Sequence, residues 1–416
     1  MRNRKNEAGQ NFLAQVEAGQ FLQCEFELNE EADPELLERA WRQTLDDCPF
    51  FERTLVEEDG QLFFAPHHSD CRVERIQSEG AADILPGPSS GRDMAWVRGA
   101  ENRVRIGVSH ALTDGVGKNM FSRLLLYHYF CLKDGTTYPN PFVDHLTGTV
   151  NSDADSDIYT DRLFPDISTS VAEEEFSSLC PEGEVFALPT WQEGSAPFVC
   201  DCLEEDESTF RRICTDVLAI PDNRQYQKLN MMLSPIGGID CLASFLMLGR
   251  AVSKSFPEAA GSISCRFPIN ARTLCGKPRM MRNASHAQAL AALPVSCLSG
   301  DWTYRDTEKL VGDIRRWLCP ESVGWSLSNL QRYREGHEAD ALWLRMFEKP
   351  TMLVSSVGRQ GYEPQPGRIL SFRDYYCASL TSLYMFRTGE KRSIILIHKD
   401  SSDTLADALR EEGKCT

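Results

Sequence analysis

The chain has 416 residues, of which 42% are hydrophobic and 25% charged, the proportions of a globular protein with room for two or three domains. Its 44 basic residues against 61 acidic ones leave a net charge of -17, a surface that repels phosphate backbones and anionic lipid and so argues against nucleic-acid and membrane-surface binding. The amino terminus carries an early basic cluster with no apolar core behind it, so no secretory signal is read, and the apolar run LASFLMLGRAV is cut by Arg250 well short of a membrane span.

The predicted elements begin with a strand over residues 20–28, QFLQCEFEL, where apolar and polar residues alternate. ADPELLERAWRQTLDDCP then gives a helix with Pro34 in its first turn, an apolar side built from Leu36, Leu37, Ala40, Trp41, Thr44 and Leu45, and a stop before Pro49. Phe50 to Leu55 and Gln61 to Ala65 form a hairpin around Glu58-Asp59-Gly60. His67 and His68, near Asp70 and Cys71, suggest a metal site, but adjacent histidines point apart and no second cluster completes four ligands; a loop role is expected, with no metal.

The stretch from Arg103 to Phe130, RVRIGVSHALTDGVGKNMFSRLLLYHYF, switches period in its middle. Val104, Ile106 and Val108 alternate as one face of a strand, and a helical run follows Asp114-Gly115. That helix is apolar over most of its circumference by its second half, so it belongs inside a domain. His110 stands where the strand stops. Asp114 is placed to cap the helix, with Gly115 easing the turn. A histidine on such a platform can be held within reach of the proton that it takes.

Residues 144–184 are acidic and rich in Ser and Asp, as a connection between halves would be. The second half opens with the strand PFVCDCLEE and the helix ESTFRRICTDVL, followed by CLASFLMLGRAVSKSF, a core helix for which Asp240 is the expected cap. Ser262 to Ile269 is a strand running into PINARTLCGKPRMMRNASHAQ. TMLVSSVGRQG is an apolar strand entering Ser355-Ser356-Val357-Gly358, and the tail adds the strand-like ILSFRDYY, SLTSLYMFRTG and RSIILIHKD before an amphipathic helix from Ser402. His398 ends a strand in a structural position. The fifteen cysteines from Cys24 to Cys415 contain no C-x-x-C pair and read as packed thiols in a reducing cytoplasm; Cys200 and Cys202 share one strand face.

The segment SHALTDG, Ser109 to Gly115, resembles the active-site motif of the chloramphenicol acetyltransferase-like superfamily, which includes condensation domains and stand-alone alcohol acetyltransferase-like proteins. The family pattern is His-His-x-x-x-Asp-Gly; here Ser109 replaces the first histidine and His110 matches the second, catalytic one. Pro268, Asn270, Arg272, Arg282 and Asn283 resemble later family elements, and Ser355-Ser356-Val357-Gly358 resembles a Ser-Asn-x-Gly signature in which Ser356 stands for asparagine. The resemblance implies an α/β fold of two chloramphenicol acetyltransferase-like subdomains, residues 1–165 and 166–416, forming a V with a central channel. It implies further that Asp114 is structural and pairs with Arg272. Ser109, Asn283, Ser355, Ser356 and Gly358 become candidates for lining the channel or binding an oxyanion, and His286 is a weaker one.

What the resemblance implies chemically is transfer of an acyl group from acyl-CoA or an acyl carrier protein, as a phosphopantetheine thioester, to a small-molecule alcohol or amine acceptor. His110 would be the general base, and no cofactor would be bound. A Ser-His-Asp hydrolase lacks support because there is no G-x-S-x-G elbow. The other class left open is a degenerate member that keeps the fold and binds a carrier protein or small ligand, for which Ser109 and Ser356 speak.

Overall fold

The computed structural model describes residues 21–58, 61–76, 93–139, 185–188, 198–272, 281, 287–298, 300–334, 338, 340–341, 343–344, 351–360, 367–375, 381–398 and 404–414. They divide into two compact units. The first comprises Met1–Leu163 with Cys275–Ala284 and Arg359–Cys377, and the second comprises Phe164–Leu274, Ser285–Gly358 and Ala378–Thr416. Two segments of the later chain thus belong to the first unit, an exchange that the linear division at 165/166 does not contain.

The first unit is built on a five-stranded sheet. Its strands are β1 (Phe21–Leu28), β4 (Glu74–Arg75), β5 (Ala95–Ala100), β6 (Arg103–Ser109) and β11 (Ile369–Tyr375), in the order β11-β1-β6-β5-β4. β1 runs antiparallel to both β6 and β11, with Phe21 opposite Ser109 and Cys24 opposite Asp374. The hairpin β2 (Arg53–Glu58) and β3 (Gln61–Pro66) is separate, and Pro49–Phe51 ahead of it forms a short 3-10 turn. Helix α1 (Pro34–Asp47) starts at Asp33, whose Oδ1 accepts from the amides of Glu35 and Leu36 at 3.0 and 3.1 Å.

Helix α2 (Gly115–Asp134) is the spine of this unit. Phe121, Leu124, Leu125, Leu126 and Phe130 are fully buried, each side chain contributing roughly 1.5–3 kcal/mol relative to exposure. Phe121 stacks on Phe51 with ring centroids 4.1 Å apart and meets Trp41 of α1 edge-on at 5.4 Å. The helix ends at Gly135, whose φ of 60° is the left-handed value that glycine adopts without penalty.

The second unit carries a six-stranded sheet of β7 (Phe198–Asp206), β8 (Ser262–Pro268), β9 (Gln288–Pro294), β10 (Met352–Gln360), β12 (Thr381–Thr388) and β13 (Lys391–His398), ordered β7-β13-β12-β10-β8-β9. β8 and β10 pair in parallel, and β8-β9, β12-β13 and β13-β7 are antiparallel. Helix α5 (Ile239–Ser255) is the core of this unit, and α3 (Glu207–Val217), α4 (Asn223–Met232) and α8 (Thr404–Lys414) pack on it. α6 (Tyr304–Trp317) and α7 (Pro320–Arg334) complete the described helices. No helix among the described residues is long and apolar enough to cross a membrane.

One expectation is corrected here. Asp240 does not cap α5: the residue at that position is Gly238, and Asp240 lies inside the first turn, buried. Its carboxylate accepts from the Tyr226 hydroxyl at 3.0 Å and from Arg392 at 2.8 Å, so a buried polar network claims the side chain that a cap would have used.

Gly107 of β6 faces Trp96 of β5, its partner in the pairing register, and a Cβ at Gly107 would lie 2.1 Å from the indole Cε2. Gly107→Ala is expected to lower stability by roughly 1–3 kcal/mol, read as a shift in the urea midpoint at unchanged slope.

Candidate active site

β6 delivers the site. Its last residue, Ser109, is anchored by its amide donating to the Met94 carbonyl at 2.7 Å, and the chain then turns with the Leu112 amide donating to the Ser109 carbonyl at 3.0 Å. The Ser109 hydroxyl is fully buried and accepts the Ala111 amide at 3.2 Å, so this side chain braces the turn. Ala111, Leu112 and Thr113 are fully buried and Asp114 nearly so. A turn packed this closely has little freedom to tilt the residues that it carries.

Asp114 is extended, at φ -111° and ψ -177°, and its Oδ1 accepts the Gly117 amide at 2.9 Å while its carbonyl accepts the Lys118 amide at 2.8 Å. A carboxylate here meets the partial positive charge of the helix start, which lessens the cost of burying it. The Thr113 hydroxyl donates to the Met281 carbonyl at 2.5 Å, and a Cβ on Gly117 would lie 1.9 Å from that same oxygen. Gly117 is therefore required by close backbone approach.

His110 is half-buried, and its Nδ1 lies 2.9 Å from the Thr113 carbonyl oxygen. A carbonyl only accepts, so Nδ1 carries the hydrogen and Nε2 of the neutral ring carries the lone pair. Burial pushes the imidazole down to about 4. Its own carbonyl, the Asp114 carboxylate and the Thr113 carbonyl oppose that shift, and the Lys118 charge adds to it. At neutral pH the ring is an uncharged base with one nitrogen fixed and the other basic.

Of the other residues singled out, Gly115 is the first residue of α2 and half-buried. Arg272, in the second unit, is buried, and its amide and Nη1 both donate to Asn270 Oδ1 at 3.2 Å. Ser355 and Ser356 on β10 are half-buried, and Ser356 packs against Gly237, where a Cβ would lie 2.3 Å from that of Ser356. Gly358 is exposed with φ 76°. Arg282, Asn283 and His286 lie outside the described residues, as does the connection at 144–184.

Several site residues were not singled out from the sequence: Thr113, Gly117, Lys118 and Met281. The signal for Gly117 was present, as a second glycine in a helix first turn marks close approach. His67 and His68 form separate pairs, with Asp93 at 2.9 Å and Glu52 at 3.2 Å. Among the described residues no group of three or more His, Cys, Asp or Glu could hold a metal, and none of the eleven described cysteines is in a disulfide.

Neither a family model nor a curated protein matches the chain by sequence. Solved structures do match by shape. Polyketide synthase associated protein 5 from Mycobacterium tuberculosis aligns over 99% of this chain and 97% of its own, at 14% identity and a TM-score of 0.63. TRI101 of F. graminearum, solved with coenzyme A and T-2 mycotoxin, aligns over 97% and 96% at 11% identity and 0.63. The TRI3 trichothecene 15-O-acetyltransferase from Fusarium sporotrichioides aligns over 99% and 94% at 12% identity and 0.62. The chain has the fold of the chloramphenicol acetyltransferase-like superfamily.

If Asp114 holds the turn as described, Asp114→Ala should cost about 1–2 kcal/mol in chemical denaturation, and Asp114→Ser, which keeps a capping oxygen, should recover most of that loss.

Proposed function

We propose that the protein is an acyltransferase that moves an acyl group from a thioester, acyl-CoA or an acyl carrier protein, to an alcohol or amine, with His110 as general base. The observation that carries this reading is the Nδ1 contact to the Thr113 carbonyl, which gives the ring a fixed tautomer with a basic Nε2. Thioesters are already activated, so no covalent enzyme intermediate is needed. Nε2 takes the proton of the acceptor as its oxygen or nitrogen bonds to the thioester carbon, the C–S bond breaks with its electron pair going to sulfur, and the imidazolium returns the proton to the thiolate.

In support, TRI101 was solved with coenzyme A and T-2 mycotoxin, and a variant of the starter condensation domain of rhizomide synthetase with C8-CoA and Leu-SNAC. The same proposal makes Arg272 the partner of Asp114, and Ser355, Ser356, Gly358 and Asn283 the lining and oxyanion candidates. It also places the protein in a reducing cytoplasm.

A panel of acyl-CoA donors, each tested with mixed alcohols and amines and followed by thiol release, tests it. His110→Ala is expected to lower the rate about two to four orders of magnitude with little change in thermal midpoint. Equal rates for wild type and mutant across a broad panel would replace the enzyme reading with that of a non-catalytic binder.

A further inference from the structure

Lys118 breaks two rules of helix construction in one place. Its side chain is fully buried, and it stands in the first turn of α2, where unpaired amides already supply partial positive charge. A residue that contradicts local preference needs a compensating interaction, and sites of that kind concentrate where function demands them. The compensation comes from strands on the same sheet. Nζ donates to Asp374 Oδ1 of β11 and, at 3.3 Å, to the Gln23 carbonyl of β1. Asp374 is itself buried, so both members of the ion pair have left water.

The pair connects to the candidate base by a short path. The Lys118 amide donates to the Asp114 carbonyl at 2.8 Å, and the neighbouring Thr113 carbonyl receives His110 Nδ1 at 2.9 Å. Sliding α2 along β11 would therefore move the oxygen that sets the tautomer. Asp114 sits in the turn, Glu25 of β1 and Arg105 of β6 are bonded to each other at 2.7 Å, and burial pushes the Cys24 thiol of β1 up to about 11, which keeps it neutral.

We propose that Lys118 is a positioning residue for His110: clamped by Asp374, it fixes the helix start that carries the Thr113 carbonyl to which His110 Nδ1 is tied. This role rests on the acyl-transfer reading, in which Nε2 accepts the acceptor's proton and must release it to the thiolate sulfur once the C–S bond has broken.

The test needs no substrate. The full chain, labelled with 13C and 15N in its eight histidines, is titrated by NMR, and the His110 signal is identified by its loss in His110→Ala. In wild type it should titrate well below the ordinary histidine range. In Lys118→Met, and in Lys118→Met/Asp374→Asn, where no lone buried carboxylate is left, its two ring-nitrogen shifts at neutral pH should leave the Nδ1–H pattern for a mixture of both tautomers, and Lys118→Arg should keep the wild-type pattern. An unchanged Nδ1–H pattern of His110 in the folded double variant overturns the proposal. So does loss of folding in that variant, which would assign the pair to stability alone. Thiol release abolished in His110→Ala beside an unchanged tautomer in the double variant would leave the proposed function standing and remove only the role of Lys118.

Discussion

The hydrogen bond between His110 and the carbonyl three residues later fixes the state of this imidazole. An imidazole has two nitrogens with interchangeable roles, and an unconstrained histidine populates both tautomers. Pinning one nitrogen to an oxygen that can only accept removes the choice. The remaining nitrogen is then a base of defined direction, and burial keeps it unprotonated at neutral pH. The rest of the first unit can be understood as a means of keeping the Thr113 carbonyl still. Ser109 braces the turn from within, Met281 receives the Thr113 hydroxyl, and Asp114 ties the turn to the helix behind it.

The arrangement has a cost. Burying Asp114, Lys118 and Asp374 within one unit takes three charges out of water, and an apolar substitute for the ion pair would fold at least as well by general experience. What the charged version adds is geometry. Two strands from distant parts of the chain, β1 and β11, converge on the ammonium, so the start of α2 is referenced to the sheet as well as to its own turn. Apolar contacts tolerate small slides, whereas hydrogen bonds to a fixed carboxylate and a fixed carbonyl do not.

Local periodicity made much of this fold legible. The alternation of β6, the wide apolar surface of α2 and the position of His110 at the end of its strand follow from residues that are neighbours in the chain, and the structure places them accordingly. α6 is not among the predicted elements, although Thr303 and Asp306 form a capping box and Leu310, Val311, Ile314 and Trp317 bury one side. Asp240 illustrates the opposite failure. Its cap propensity was real, but Tyr226 and Arg392 offered a buried network that local rules do not weigh. The partners of the site lay further still beyond reach. Met281 and Asp374 meet the turn from 168 and 256 residues away along the chain, and no spacing rule connects them to His110.

The central claim is that His110 is held as the Nδ1–H tautomer with a basic Nε2. Long-range 1H–15N correlation spectra of histidine-labelled protein at neutral pH report this directly, because protonated and lone-pair nitrogens differ widely in shift. A protonated Nδ1 and an unprotonated Nε2 are expected for the His110 ring. A ring protonated on Nε2, or on both nitrogens, would contradict it.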